Sequence, residues 1–379
     1  MVIRRAHGFL HSPMDAADVP RRLFRIARAS TGGEGERMDF DDAVCRIETR
    51  PALLRGGMTR RDIATLSHGD LRKLARGTFV ASETWDAAWP AERHLLQVAA
   101  YEQRRRGGVV YSHLTAALLH GLPLWGAPPT HVHVSGTQHN GAVSRGTPYV
   151  SRHRCAVPDV DVVSSGGLVL TAPARTVADV LRTTPRDTAI AIADAALRAV
   201  AWDARQRLFD ADAAEYLRAE IARRLTTGAR GVRQARELLE LADGRSESAG
   251  ESVSRLRLHE LGFRRIRLQV PVGPYFVDFG LDDAAVWGEY DGEVKYRDVA
   301  MRHGRALEDV LRAEKEREDW IRGLTGRRVI RWTTADIRSP GGLRSKLYRF
   351  GVFPTPNHRR NAESPPEGAH SGGDGATEW

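Results

Sequence analysis

The stretch Tyr275-Phe276-Val277-Asp278-Phe279-Gly280-Leu281-Asp282-Asp283-Ala284-Ala285-Val286-Trp287-Gly288-Glu289-Tyr290-Asp291-Gly292 decides the fold of the C-terminal part. Two runs rich in Val, Phe, Tyr and Trp flank a short acidic turn, which predicts strands over 275–281 and 285–291 joined as a hairpin. Asp278 is the polar interruption of an otherwise apolar run, and Glu289 and Asp291 share one face because the strand period is two. The hairpin can bring Asp278 beside Glu289. Working outward, the spacing predicts a helix from Ser248 to Gly262 and a strand at 265–272 before the hairpin. After it come a helix at 308–323, a strand at 327–332 and a last helix near 340–349. One helix, three sequential strands, a helix and a strand give a mixed α/β layer.

A carboxylate on the first helix, Glu251, can meet Asp278 and Glu289 at the end of that sheet. Half-buried carboxylates that crowd together are costly unless a cation neutralises them. Three or four oxygen donors without His or Cys suit Mg²⁺, which lowers the pKa of a bound water and stabilises a pentavalent phosphate. Lys295, Arg317 and Lys315 are cations near enough in sequence to hold phosphate oxygens. The competing reading of the same residues is ordinary turn and surface acids.

The whole chain of 379 residues has 28% charged and 41% hydrophobic residues, a globular composition with room for two or three domains. Two cysteines, Cys45 and Cys155, exclude a disulfide framework and suit a reducing cytoplasm. No run of 18 apolar residues predicts a membrane span, and the first residues lack the apolar core of a secretory signal. The formal charge of +9 favours an anionic partner, nucleic acid first. Only Lys73, Lys295, Lys315 and Lys346 are lysines among 57 basic residues, so a GC-rich genome accounts for the arginine surplus equally well.

The chain divides into five stretches. Residues 1–37 form a loose extension, with Met1, Met38 or Met58 as the start, and 354–379 are Pro, Gly, Ser and charge with little to bury. Residues 38–90 predict a winged helix-turn-helix. Thr59 with Asp62 and Ser67 with Asp70 each fit a capping box, Leu71, Leu74 and Ala75 line a second helix that Gly77 stops, and Thr78–Ala81 forms a small wing. From Arg50 to Gly77 seven basic and two acidic residues give a local +5, and Arg72, Lys73 and Arg76 project from the second helix. A plain solvated helical hairpin is the alternative. Residues 91–245 read as mainly helical, with extended patches at 131–134 and 149–150. His113 and His120 share a helix face, and His131 and His133 share a strand face. With Cys155 they suggest metal ligands, but no CxxC or HExxH spacing supports that, and packed or hydrogen-bonded histidines are the better reading. The α/β unit occupies 246–353.

The series Glu251, Gln269, Val277-Asp278-Phe279, Glu289-Tyr290-Asp291-Gly292, Lys295-Tyr296, Glu314-Lys315-Glu316-Arg317-Glu318-Asp319 and Val329-Ile330-Arg331-Trp332 resembles the restriction-endonuclease-like domain related to very-short-patch repair endonucleases, within the PD-(D/E)XK superfamily. The resemblance implies Asp278 and Glu289 as Mg²⁺ ligands, Glu251 as the helix-borne acid, and a catalytic set completed by Asp291 and Lys295. Asp291 stands where the superfamily has its lysine, and Lys295 lies four residues on. A second series is similar to AbiEi-type antitoxins of type IV toxin–antitoxin systems. It runs through Gly57-Met58-Thr59-Arg60-Arg61-Asp62, Arg76-Gly77-Thr78-Phe79-Val80, Ser112-His113-Leu114-Thr115-Ala116-Ala117-Leu118-Leu119-His120-Gly121-Leu122-Pro123 and Leu170-Thr171-Ala172-Pro173-Ala174-Arg175-Thr176-Val177-Ala178-Asp179. That likeness implies DNA binding by Arg60, Arg61, Arg72, Lys73 and Arg76 and a cognate toxin as partner, while the cysteine usage predicts a cytoplasmic location. Arg317 joins the DNA contacts at the nuclease-like end. Two functions follow as expectations: a Mg²⁺-dependent DNA endonuclease, or a non-enzymatic antitoxin-like regulator with a degenerate nuclease fold.

Overall fold

A computed structural model describes residues 38–354 apart from 68, 106, 127, 137–148 and 293–306. The chain is mixed α/β with several separate sheets.

The N-terminal part begins with α1 (Phe40–Cys45), β1 (Glu48–Thr49), α2 (Arg50–Arg55) and α3 (Arg60–Leu66). A hairpin of β2 (Leu71–Ala75) and β3 (Thr78–Ala81) follows, then α4 (Ser82–Ala87) and α5 (Pro90–Glu102). The capping box at Thr59 forms as expected: Asp62 N–H donates to Thr59 Oγ1 at 3.2 Å and Thr59 N–H donates to the Asp62 carboxylate at 2.8 Å. The second helix does not form, and its residues are β2. Leu71 packs with Leu53, Ile63 and Phe79, whereas Leu74 packs with Ala43, Val80 and Leu96. A spacing of three puts residues on one helix face but on opposite strand faces, and here both faces of the strand are covered. Gly77, at φ +76°, makes the tight turn to β3, which pairs with β2 and with β1.

The middle part combines helices with a sheet of which the sequence shows little. Strands β4 (Val110–Tyr111), β5 (Val132–Gly136), β6 (Val150–Arg154), β7 (Val162–Ser165) and β8 (Leu168–Thr171) lie in the order β6-β5-β4-β8-β7. With two to five residues each, they carry too little alternation to announce themselves. Around them stand α6 (His113–Leu119), α7 (Pro173–Thr183) and α8 (Arg186–Ala201); a two-residue hairpin, β9 (Trp202–Asp203) with β10 (Leu208–Phe209), precedes α9 (Ala211–Arg223) and α10 (Val232–Leu241).

The C-terminal part follows the expected order: α11 (Ala249–Leu261), β11 (Ile266–Val272), β12 (Tyr275–Leu281), β13 (Val286–Asp291), α12 (Leu307–Thr325), β14 (Val329–Thr333), α13 (Thr334–Ile337) and α14 (Pro340–Arg349). β11, β12 and β13 are antiparallel neighbours, and β14 joins β13 in parallel after the α12 crossover. One core runs from α7 and α8 through α11 to Phe279, Tyr290 and Trp332 of the sheet. A fully buried ion pair, Arg255 to Asp194 at 2.6 Å, ties α11 to α8. The opposite sheet face packs Val270, Val272, Val277 and Trp287 against Ile321 of α12.

Candidate nuclease-like site

Helix α11 is capped by Ser248, whose Oγ accepts the Glu251 N–H at 3.2 Å. The Glu251 carboxylate accepts from Ser248 Oγ at 2.9 Å and from the Glu247 N–H at 2.8 Å, so this acid also closes the first helical turn. Gly250 allows the Tyr290 ring to lie directly on the helix, since a Cβ there would sit 2.1 Å from the ring. The Tyr290 N–H in turn donates to Asp278 Oδ2 at 2.9 Å.

Gln269 is the hinge of the site. Its φ of +47° is the left-handed region, unusual for a side chain in a strand and costing about 1–3 kcal/mol. On β11, Leu268 belongs to the core under α11, whereas Val270 and Val272 face α12. On β12, Val277 faces α12, whereas Phe279 and Leu281 face α11. Both strands therefore exchange faces at Gln269 and Asp278. This twist turns both polar side chains toward Glu251: Gln269 Nε2 donates to Glu251 Oε2 at 3.1 Å and to Asp278 Oδ1 at 3.4 Å. Burial, then the neighbouring charge of Asp278, pushes the Glu251 carboxyl up to about 7.

Glu289 is buried on the α12 side. Its Oε1 lies 2.7 Å from Arg317 Nη2 and its Oε2 lies 3.1 Å from Arg331 Nε. Arg331 reaches Glu289 because the two are register partners on β14 and β13. The desolvated arginines also share Glu314, at 3.1 Å from Arg317 and 2.5 Å from Arg331. Arg317 further donates to the Phe276 carbonyl at 2.8 Å, so the protein itself occupies the guanidinium assigned to DNA. Asp291 is half-buried opposite Thr333. Lys295 lies outside the described residues, and Lys315 is exposed on α12.

The structure thus brings Glu251, Gln269 and Asp278 together and gives Glu289 to two arginines. Among the described residues, Glu251, Asp278, Glu289 and Asp291 do not form a group whose donor atoms all lie within 4.8 Å of one another. Two crowded carboxylates, one with a raised pKa, are the residues here that could hold a divalent cation, in the place the Gln269 amide now takes between Glu251 and Asp278. Glu289 would have to leave its arginines to join them. Arg331 and Glu314 carry no signal of this role in the sequence: the pairing of β14 with β13 brings in Arg331, and the packing of α12 against the sheet brings in Glu314.

At the N-terminal end, Arg60 and Arg61 are exposed on α3, and Arg72, Lys73 and Arg76 are placed on the β2–β3 hairpin rather than on a helix. Arg72 stacks over the Trp85 ring at 4.6 Å. His120, by contrast, is a buried structural residue whose Nε2 lies 2.8 Å from the Thr171 carbonyl. Among the described residues, no helix is long and apolar enough to cross a membrane.

No family model matches the chain. It is 33% identical over 186 residues to two Mycobacterium tuberculosis proteins, Uncharacterized protein Rv2248 and Uncharacterized protein MT2308, over 48% of this chain. The match spans 62% of the length of each relative. The solved structure of the Rv2827c protein of Mycobacterium tuberculosis aligns with a TM-score of 0.33 and 14% identity, over 59% of this chain and 82% of that one.

Proposed function

We propose that this chain is a DNA-binding protein whose C-terminal α/β unit is a Mg²⁺-dependent phosphodiesterase of the restriction-endonuclease-like kind. The observation that carries the reading is the Glu251–Asp278 pair, bridged by Gln269, in which burial and a like charge raise the Glu251 carboxyl. The element order helix, three antiparallel strands, helix and parallel strand, with acids on the helix and on the second and third strands, agrees with it. Glu251 and Asp278 would hold Mg²⁺, and the cation would supply an activated water at neutral pH and charge stabilisation of the phosphate. In the N-terminal part, a helix pair followed by a hairpin is the order of a winged helix. Its Arg60, Arg61, Arg72, Lys73 and Arg76 offer a phosphate-binding face. Calorimetric titration with Mg²⁺ tests the acid pair: the wild type binds, and Asp278→Ala and Glu251→Ala do not. Equal Mg²⁺ binding by Asp278→Ala would overturn the assignment.

A second reading, a non-enzymatic regulator of the antitoxin-like kind, is favoured by two observations. Arg317 and Arg331 already neutralise Glu289, and Asp291 stands in the place of the lysine. Under that reading the protein binds DNA, a cognate toxin is its partner, and no metal dependence appears. Both readings require the N-terminal cations. Arg72→Ala with Lys73→Ala should weaken duplex binding and lower the salt slope by roughly one unit for each phosphate the protein no longer neutralises.

A further inference from the structure

Three histidines meet on the five-stranded sheet, far in sequence from the acidic site. His113 opens α6, His133 lies on β5 and His153 on the edge strand β6. His133 Nδ1 is 2.9 Å from His153 Nε2. The His113 and His153 rings stack with centroids 3.5 Å apart, and one ring nitrogen of each residue lies within 4.8 Å of those of the other two. Pairing His113 with His120 and His131 with His133, as the sequence suggests, misses this cluster. His153 enters it only because β6 lies beside β5.

We propose that His113, His133 and His153 form a binding site for a borderline transition-metal cation of the Zn²⁺ class. Imidazole nitrogen is a preferred donor for such ions, whereas Mg²⁺ demands oxygen. With metal–nitrogen bonds of about 2.0–2.1 Å and tetrahedral angles, ligand nitrogens stand roughly 3.3 Å apart. The 2.9 Å between His133 and His153 is an N–H···N hydrogen bond, which the ion replaces by opening the pair about 0.4 Å. Stacked rings cannot both aim an in-plane lone pair at one ion, so His113 turns out of its stack on binding.

The surroundings favour ligation. His113 has φ +53°, a strained backbone for a non-glycine residue, at the point where its ring is held against the other two. Its Nδ1 lies 3.0 Å from Ser112 Oγ, which also accepts from Ser135 Oγ at 2.8 Å. In the tautomer that donates Nδ1–H to Ser112, Nε2 carries the lone pair for the metal. Arg175 and Arg182 face His113. Asp179, at 2.8 Å and 3.7 Å, and Asp161, at 3.4 Å from Arg175, offset their charge. Among the described residues the site offers three protein ligands, and a tetrahedral ion takes a fourth donor beside the half-buried His133 and His153.

The test is titration of chelator-stripped full-length protein with Co²⁺ and then Zn²⁺. With excess Mg²⁺ present to occupy the acid pair, one Co²⁺ per chain should bind with the visible d–d absorption of a low-coordinate nitrogen site, and Zn²⁺ should displace it and raise the Tm. His133→Ala and His153→Ala should lose the band and weaken Zn²⁺ binding by at least about 100-fold, more than loss of an outer partner does. His131→Ala, which removes an exposed histidine nearby, and Asp278→Ala, which alters the acidic site alone, should keep both properties. No stoichiometric Co²⁺ band in the wild type, or an undiminished band in His153→Ala, would overturn the proposal. If an alanine variant fails to fold, the wild-type spectrum and the Zn²⁺-induced Tm shift in His153→Gln decide it: a shift equal to the wild type contradicts the site.

Discussion

The two polar clusters at the heart of this chain solve opposite electrostatic problems. In the C-terminal sheet, Glu251 and Asp278 crowd together across the neutral amide of Gln269, while Glu289 beyond them is matched by two arginines. In the middle sheet, three histidines crowd together and burial favours their neutral form. Under the proposed function, one cluster would gain by acquiring a cation. The other is already in the state that can accept one. The contrast separates a buried carboxylate held by arginines from one whose pKa is raised by burial and a like charge. Only the second has the electrostatic need expected of a divalent-metal site.

The sharpest way to break this contrast is to strip the charge partners from Glu289. The double variant Arg317→Ala with Arg331→Ala should lose about 3–5 kcal/mol of stability in urea melts, because a buried carboxylate is left uncompensated. A loss below about 1 kcal/mol, the range of an exposed pair, would place Glu289 in solvent and return it to the pool of metal ligands. The next effect is a pH dependence. The folded value of Glu251 lies near 7, above the ordinary 4.5, so its burial costs nothing below pH 4.5 and the cost grows as pH rises through 7. It reaches about 3 kcal/mol at most. The stability difference between Glu251→Gln and the wild type in thermal melts should therefore widen in the variant's favour over that window, and Mg²⁺ should close the gap by stabilising the wild type alone.

The histidines carry the opposite sign. Their folded values are depressed, so their contribution is complete above pH 6.5 and is lost as pH falls below it. His113 and His133 should each remove about 1 kcal/mol between pH 6.5 and 5.5. A difference in stability between the wild type and the His113→Ala, His133→Ala double variant that stays constant over that unit of pH would contradict the buried neutral cluster. The smallest expected effect concerns backbone strain. Ala285, at φ +52° in the turn between β12 and β13, should stabilise the protein by about 0.5–1 kcal/mol when changed to Gly. Gln269→Gly, at φ +47°, should gain less, because it also deletes the bridge between Glu251 and Asp278. Equal gains at both positions would show that the bridge contributes nothing.

The C-terminal order was legible because each strand of the hairpin and its neighbour is six or seven residues long and bounded by turn residues. The acids Glu251, Asp278 and Glu289 stand out in the same stretch. Which of them share a site was not legible, since the face exchange at Gln269 and Asp278 breaks the period of two on which the pairing argument rests. The same limit acts at Leu71 and Leu74, whose spacing reads as helical until both faces of the strand prove to be covered. Arg331 and His153 were out of reach for a different reason. Each meets its partners across a parallel strand pair, and the distance along the chain carries no trace of that pairing.

The most direct test of the central claim is cleavage of supercoiled, linear and mismatched DNA by the purified chain with Mg²⁺ or Mn²⁺, beside Asp278→Ala and Glu251→Ala. Metal-dependent nicking is expected in the wild type, falling to the level of the buffer in both variants. Nicking that persists in Asp278→Ala, or a wild type that binds DNA and cuts none of these substrates with either metal, would contradict it.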